Sequence, residues 1–323
     1  MTVKRLLAFL AAAALIVGAV FARHALDNRS SSSSDGTTGQ PTGGKITVVC
    51  STEFADVCAK LPTSFKVTVE PATKTLRDLV ADGAQPPDAW ITLDPFPGMI
   101  DVLRQFSTLD ALAPKIVAVA TDVSEVAVAK SRSSSFDIAC NGQPGWKCIG
   151  ASAGAQWSAL DPAAGGGKVL PGLADPDVEA LGLITFANAV AGYLDNPNFS
   201  VNDWDGNAEL NGWLRNLKNG AVISADGASA LDTLLVRSTN VNVAATTGVE
   251  VQASPQPDAF VVKAVSPAVP IVAVVGSFTT KGNAVAAQLA PLLTSTGWTR
   301  ASDPEPQLPA GTFIALRKLW EGK

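Results

Sequence analysis

From Lys45 to the end of the chain, short runs of β-branched and apolar residues alternate with segments of helical periodicity. This alternation limits the fold more than any other feature of the sequence. ITVVCST (Ile46–Thr52), FKVTVEPAT (Phe65–Thr73), PDAWITLD (Pro87–Asp94), KIVAVATD (Lys115–Asp122) and SEVAVAK (Ser124–Lys130) read as strands. TLRDLVADG and IDVLRQF read as helices, the first with Thr75 as N-cap and Gly83 closing it. Strands that are apolar throughout belong in a sheet covered on both faces, which points to an α/β protein with largely parallel strands.

The pattern changes between Ser131 and Gly167, a stretch rich in Ser, Gly and Pro. LADPDVEALGLITFANAVAGYL (Leu173–Leu194) then reads as one long helix, with Asp175 as N-cap and Pro176 at the first helical position. It is apolar nearly all round, so it is expected to be buried. Asn207–Gly220 reads as an amphipathic helix, Ser229–Val236 as a short one, and VNVAATT (Val241–Thr247) as a strand. The first pattern returns in PIVAVVGSF, a strand, and KGNAVAAQLAPLLTSTGW, a helix interrupted by Pro291; TFIALRKLW ends the chain as strand or helix. One domain therefore brackets another, with boundaries expected at 45–124 plus 266–323 for the first and 125–265 for the second.

Lys4 and Arg5 precede the apolar run Leu6–Ala22, the pattern of a secretory signal, and Val20-Phe21-Ala22 fits a cleavage site. The same 17 residues just reach the length of a membrane span. Residues 1–22 are thus a signal peptide or an anchor, and either places the body outside the cytoplasm, secreted or held at the membrane. Residues 23–44 are polar and rich in Ser and Gly, and are expected to be a flexible tether. In that compartment Cys50/Cys58 and Cys140/Cys148 read as two local disulfides. A four-ligand metal site is the weaker alternative, since the only histidine, His24, precedes the body.

Chemistry-bearing motifs are few. Gly150-Ala151-Ser152-Ala153-Gly154 matches G-x-S-x-G, but no histidine follows to serve as base, and a small-residue loop is the better reading. Gly165-Gly166-Gly167-Lys168 lacks the remaining residues of a phosphate loop. Asp203–Glu209 alternates oxygen ligands that calcium uses, yet Asp205 serves equally as a helix N-cap. With 24 Lys+Arg against 29 Asp+Glu, the chain lacks the basic footprint of a nucleic-acid binder. No cofactor, metal or catalytic group is expected.

Small polar residues gather where the strands end: Ser51 and Thr52, Thr92 and Asp94, Thr121 and Ser124, Thr246 and Thr247. In open α/β sheets, ligands sit beyond the carboxyl ends of strands, near helix N-termini with free N–H groups. Hydroxyls and amides at those positions suit a solute that is bound rather than transformed.

In order and character, the body resembles the bacterial extracellular solute-binding proteins of the type II periplasmic-binding fold, particularly the branch with molybdate-type receptors. The resemblance is carried by PDAWITLD, SEVAVAK, GLADPDVEALGLI, VNVAATT, and AVSPAVPIVAVV followed by AVAAQLAPLLTSTGW. It implies two α/β lobes, each a mostly parallel sheet flanked by helices, joined by two crossovers and closing on a small polar or anionic solute. Ser51 and Thr52 would then face the helix start at Asp175 across the cleft. It further implies delivery to the membrane subunits of an ABC importer. The alternative is a membrane-tethered module that keeps the fold, has lost its ligand, and binds another envelope protein.

Overall fold

A computed structural model describes residues 45–224, 228–301 and 308–322, all within one compact unit, Lys45–Lys323. The expected signal or anchor, the tether and His24 lie outside the described residues.

The strands are β1 (Ile46–Ser51), β2 (Phe65–Glu70), β3 (Ala89–Leu93), β4 (Lys115–Asp122), β5 (Ser124–Ala129), β6 (Pro171–Ala174), β7 (Val222–Ser224), β8 (Val243–Thr247), β9 (Phe260–Ala264), β10 (Ile271–Ser277) and β11 (Thr299–Arg300). They form two sheets, ordered β11-β4-β10-β3-β1-β2 and β7-β6-β8-β5-β9. The chain passes from the first sheet to the second at Val123, between β4 and β5, and returns through residues 265–270, between β9 and β10.

Both sheets are mixed rather than mostly parallel. β1 pairs in parallel with β2 and β3, and β6 with β7 and β8. The strands carrying the two crossovers, β4, β5, β9 and β10, pair antiparallel with their neighbours. A strand that arrives from the other sheet need not make the right-handed return that keeps sequential strands parallel. Every residue of β3 and β10 is buried, as their unbroken apolar sequences require.

Helices flank the sheets: α1 (Ala55–Cys58), α2 (Ala72–Val80), α3 (Phe96–Phe106), α4 (Ser133–Ala139), α5 (Trp146–Ser152), α6 (Trp157–Leu160), α7 (Ala180–Leu194), α8 (Val201–Trp204), α9 (Ala208–Gly220), α10 (Ala230–Val236), α11 (Gly248–Ala253), α12 (Asn283–Thr294) and α13 (Ala310–Glu321). α2 begins at Ala72, and Thr75 lies inside it, donating its hydroxyl to Glu70 at 2.8 Å. α12 runs through Pro291 unbroken, and the closing segment is a helix, α13.

The expected helix over Leu173–Leu194 divides. Leu173 and Ala174 finish β6, and α7 starts only at Ala180. Asp175 is therefore not its N-cap. Its carboxylate instead accepts the Asp177 amide at 2.9 Å in a turn before the helix. Asp205 likewise yields the N-cap of α9 to Asn207, whose side chain accepts the Leu210 amide at 3.0 Å. Asp203, in the calcium-like run, closes a capping box with Ser200.

The Ser/Gly/Pro-rich stretch contains three helices, and the Cys140–Cys148 disulfide joins the end of α4 to α5. Cys50–Cys58 joins β1 to α1. Gly150 and Ser152 lie in α5 rather than in a loop. The glycine is there for packing: a Cβ on Gly150 would sit 2.2 Å from the Trp213 ring of α9. That ring is held by a 3.0 Å hydrogen bond from its N–H to the Lys147 carbonyl. Gly150→Ala is expected to lower stability by about 1–3 kcal/mol, as overpacking against a fixed aromatic ring does. Urea denaturation monitored by tryptophan fluorescence measures this, and an unchanged midpoint would refute the packing role.

Candidate functional site

A cleft of about 230 Å³ lies where the two sheets face each other. Thr52 and Glu53 after β1, Leu93 at the end of β3 and Ile271 at the start of β10 contribute from the first sheet. From the second come Ala174 at the end of β6, Ser224 at the end of β7, and Thr246 and Thr247 at the end of β8. The starts of α7, α10 and α11 complete the wall with Glu179, Leu181, Ser229 and Glu250, and Thr185 adds to it from the second turn of α7. The half-buried Trp298 closes one side and packs on Phe54 with ring centroids 5.6 Å apart.

Of the residues singled out from sequence, Thr52, Thr246 and Thr247 line this cleft. Ser51 and Thr92 lie just beneath it as a buried pair on neighbouring strands, the Ser51 hydroxyl donating to that of Thr92 at 2.8 Å. Asp94 follows Leu93 but does not line the cleft; its amide donates to the Val272 carbonyl at 2.9 Å. Ser124 is buried in β5 opposite Thr247. Thr121 borders a separate hollow beside the first crossover, with Asp122, Gly248 and Thr299. Asp175 is held in its own turn, so the helix start that faces β1 is at Glu179, not Asp175.

Three carboxylates line the cleft that sequence reasoning passed over: Glu53, Glu179 and Glu250. Glu53 reaches from β1 to the start of α7, where its Oε1 accepts the Leu181 amide at 2.9 Å. A helix N-terminus favours negative charge at that point. Its Oε2 is shielded from solvent and has no hydrogen-bond partner among the described residues. The Thr52 hydroxyl donates to Glu179, and the Thr73 hydroxyl to the Val178 carbonyl at 3.1 Å. These bonds tie the residue after β1, and α2, to the turn that leads into α7. Burial, and then the neighbouring Glu179 carboxylate, push the Glu53 carboxyl up to about 7.

Glu250 completes a capping box with Thr247, accepting its amide at 3.2 Å, and takes the Thr246 hydroxyl at 2.8 Å. Burial raises its pKa against the opposing effect of those donors. The sequence T-x-x-E at Thr247–Glu250 carried this signal. Glu179 had no comparable mark, because only the tertiary fold buries it. No lysine or arginine lines the cleft among the described residues, and none of their His, Cys, Asp and Glu side chains form a cluster of three or more able to hold a metal ion.

No family model and no curated protein matches the sequence. Solved structures do match. A ferric binding protein from Campylobacter jejuni is 11% identical, with 85% of this chain and 98% of that chain covered and a TM-score of 0.55. The fold is that of the two-lobe periplasmic binding proteins. AfuA from Actinobacillus pleuropneumoniae, solved with exogenous fructose-6-phosphate bound, matches at 11% identity, 87% and 98% coverage and a TM-score of 0.52. In a two-lobe protein of this kind, the two crossings of the chain at Val123 and at residues 265–270 are the covalent links between the sheets that flank the cleft.

Proposed function

We propose that this chain is a non-catalytic solute-binding protein that closes two lobes, residues 45–124 with 266–323 and residues 125–265, over a small polar solute. The observation that carries this reading is the cleft itself, lined from both sheets at the carboxyl ends of β1, β3, β6, β7 and β8. At about 230 Å³ it lies just below the ~300–1,000 Å³ of drug-sized pockets, which fits a small cargo. Closure follows from differential affinity: a solute touching both walls binds the closed state better and shifts the population toward it.

Delivery to an ABC importer is the role this fold supports. The signal or anchor over 1–22 and the two disulfides favour an extracytoplasmic location, secreted or membrane-tethered. The likeness to the molybdate-type branch rests on the order of sequence segments and does not extend to the cargo. A cleft with three carboxylates and no basic residue among its described lining favours the polar over the anionic half of the solute class.

Thermal unfolding of the full chain, disulfides intact, against sugars, amino acids, amines, oxyanions and divalent metals tests the reading. Solute at about 100 times its Kd stabilises by about 2.7 kcal/mol, which raises the melting temperature by roughly 5 °C. A response confined to one chemical class is the expected outcome. A flat response across the panel overturns the reading in favour of an envelope interaction module.

A further inference from the structure

We propose that the solute is a small organic ammonium compound whose nitrogen is held between the carboxylates of Glu53 and Glu179, with a second polar group reaching the Ser224 hydroxyl. The proposal rests on the solute-binding reading and names the class of cargo.

Charge is the first argument. Three carboxylates line the cleft, with no lysine or arginine among its described residues. Glu53 and Glu179 come from opposite walls, and the Glu179 carboxylate adds to the proton affinity of Glu53, an effect that an incoming positive charge relieves. An anionic solute would add to the repulsion.

Ser224 ends β7 with 8% of its surface exposed, and its Oγ is buried without a hydrogen-bond partner among the described residues. It lines the same cleft as Glu53 Oε2, which is likewise shielded and unpartnered. Buried polar atoms are nearly always satisfied, so two such atoms on opposite walls of one cleft mark where a ligand's polar groups belong. An ammonium offers three N–H donors and no acceptor, a match for carboxylate oxygens, whereas a hydroxyl can serve as donor or acceptor for any group at the other end.

Competing cargo classes fit less well. A hard divalent cation takes six or more oxygen ligands, or keeps several waters around one or two carboxylates, and the described residues offer no cluster of three acidic or metal-ligating side chains. A neutral polyol satisfies the hydrogen bonds but brings no positive charge to the Glu53 carboxyl, whose ionisation burial and the Glu179 carboxylate oppose. Trp298 favours the cation as well, since its half-buried ring borders the cleft and is fixed against Phe54.

Calorimetric titration and thermal shift on the full chain, disulfides intact, decide the matter. The probes are ethanolamine, putrescine and agmatine, each against neutral or acidic counterparts: ethylene glycol, 1,4-butanediol, glucose and succinate, with calcium and magnesium chloride alongside. At least one amine is expected to bind saturably while its neutral counterpart does not. Glu53→Gln keeps an acceptor for the Leu181 amide but removes the charge, and is expected to weaken that binding by roughly tenfold or more. Ser224→Ala is expected to weaken it severalfold while leaving the free protein at least as stable, an outcome that a purely structural serine would not give. Binding of a polyol, sugar, dicarboxylate or metal with no amine response overturns the ammonium class and leaves the receptor reading standing. Amine binding that survives Glu53→Gln unchanged overturns the assignment of the site. Silence from every probe overturns both.

Discussion

Asn188→Leu is expected to destabilise the protein by about 3–5 kcal/mol, because it strands a buried amide and a buried carbonyl on one of the two crossovers. Asn188 lies in the middle of α7 and is fully buried. Its side-chain amide donates to the Ile184 carbonyl at 3.0 Å and to the Val269 carbonyl at 3.1 Å, while its Oδ1 accepts the Val269 amide at 2.7 Å. Val269 sits between β9 and β10, where the chain returns to the first sheet, and no strand partner supplies its hydrogen bonds there. Leucine fills the volume but can neither donate nor accept, so both backbone groups lose their partners away from water. Urea denaturation with an unchanged m-value would measure the loss. Hydrogen exchange at the Val269 amide should rise at the same time, because local opening no longer breaks a bond. A variant within about 1 kcal/mol of the parent would show that water replaces the asparagine, and would sink the argument.

The same residue shows what a sequence can and cannot announce. An asparagine inside an otherwise apolar helix is visible as an anomaly, but its partner is 81 positions away. The alternation of strands and helices was legible because β-branched runs such as those of β3 and β10 have few other places to go. The start of α7 was not, since Asp175-Pro176 makes the same signal whether it opens a helix or a turn. Packing selected the turn: a Cβ on Gly182 would lie 2.6 Å from the Asp175 carbonyl carbon, so the turn folds back directly onto the helix. The short helices around the second disulfide were hidden by their Ser and Gly content. They are held by tertiary contact, as Gly150 against Trp213 shows.

At the cleft, the rule about carboxyl ends of strands led to Thr52, Thr246 and Thr247, which line it. Hydroxyls at strand ends can also satisfy one another in the interior, as Ser51 and Thr92 do. The carboxylates were missed because acidic residues in a chain of net charge −5 read as ordinary surface. Only the fold turns Glu53 and Glu179 toward one another.

The protein is expected to lose stability as pH rises from about 4 to about 8, with a maximum on the mildly acidic side. Two carboxyls set this direction. Burial raises Asp94 from 3.8 to about 6, and burial together with the Glu179 charge raises Glu53 from 4.5 to about 7. For an acid whose folded pKa exceeds its unfolded one, the folded state holds the proton more tightly through the interval between them. The ionisation penalty is absent below the unfolded value, grows through the interval and is complete above the folded value. For Asp94 this penalty amounts to about 3 kcal/mol. Glu53 adds in the same direction. Below pH 4 the sign reverses. Asp88 is held below its ordinary value, chiefly by the Thr279 hydroxyl, so its contribution is lost as acid protonates it. Urea midpoints across pH 3.5–8.5 should therefore pass through a maximum near pH 4–5. Asp94→Asn should flatten the limb between about pH 4 and 6 without touching solute affinity, since Asp94 does not line the cleft. Glu53→Gln should flatten the limb nearer neutrality while weakening solute binding. Stability that stays level or climbs from pH 5 to 8 would mean that neither carboxyl is shielded from water as the fold implies.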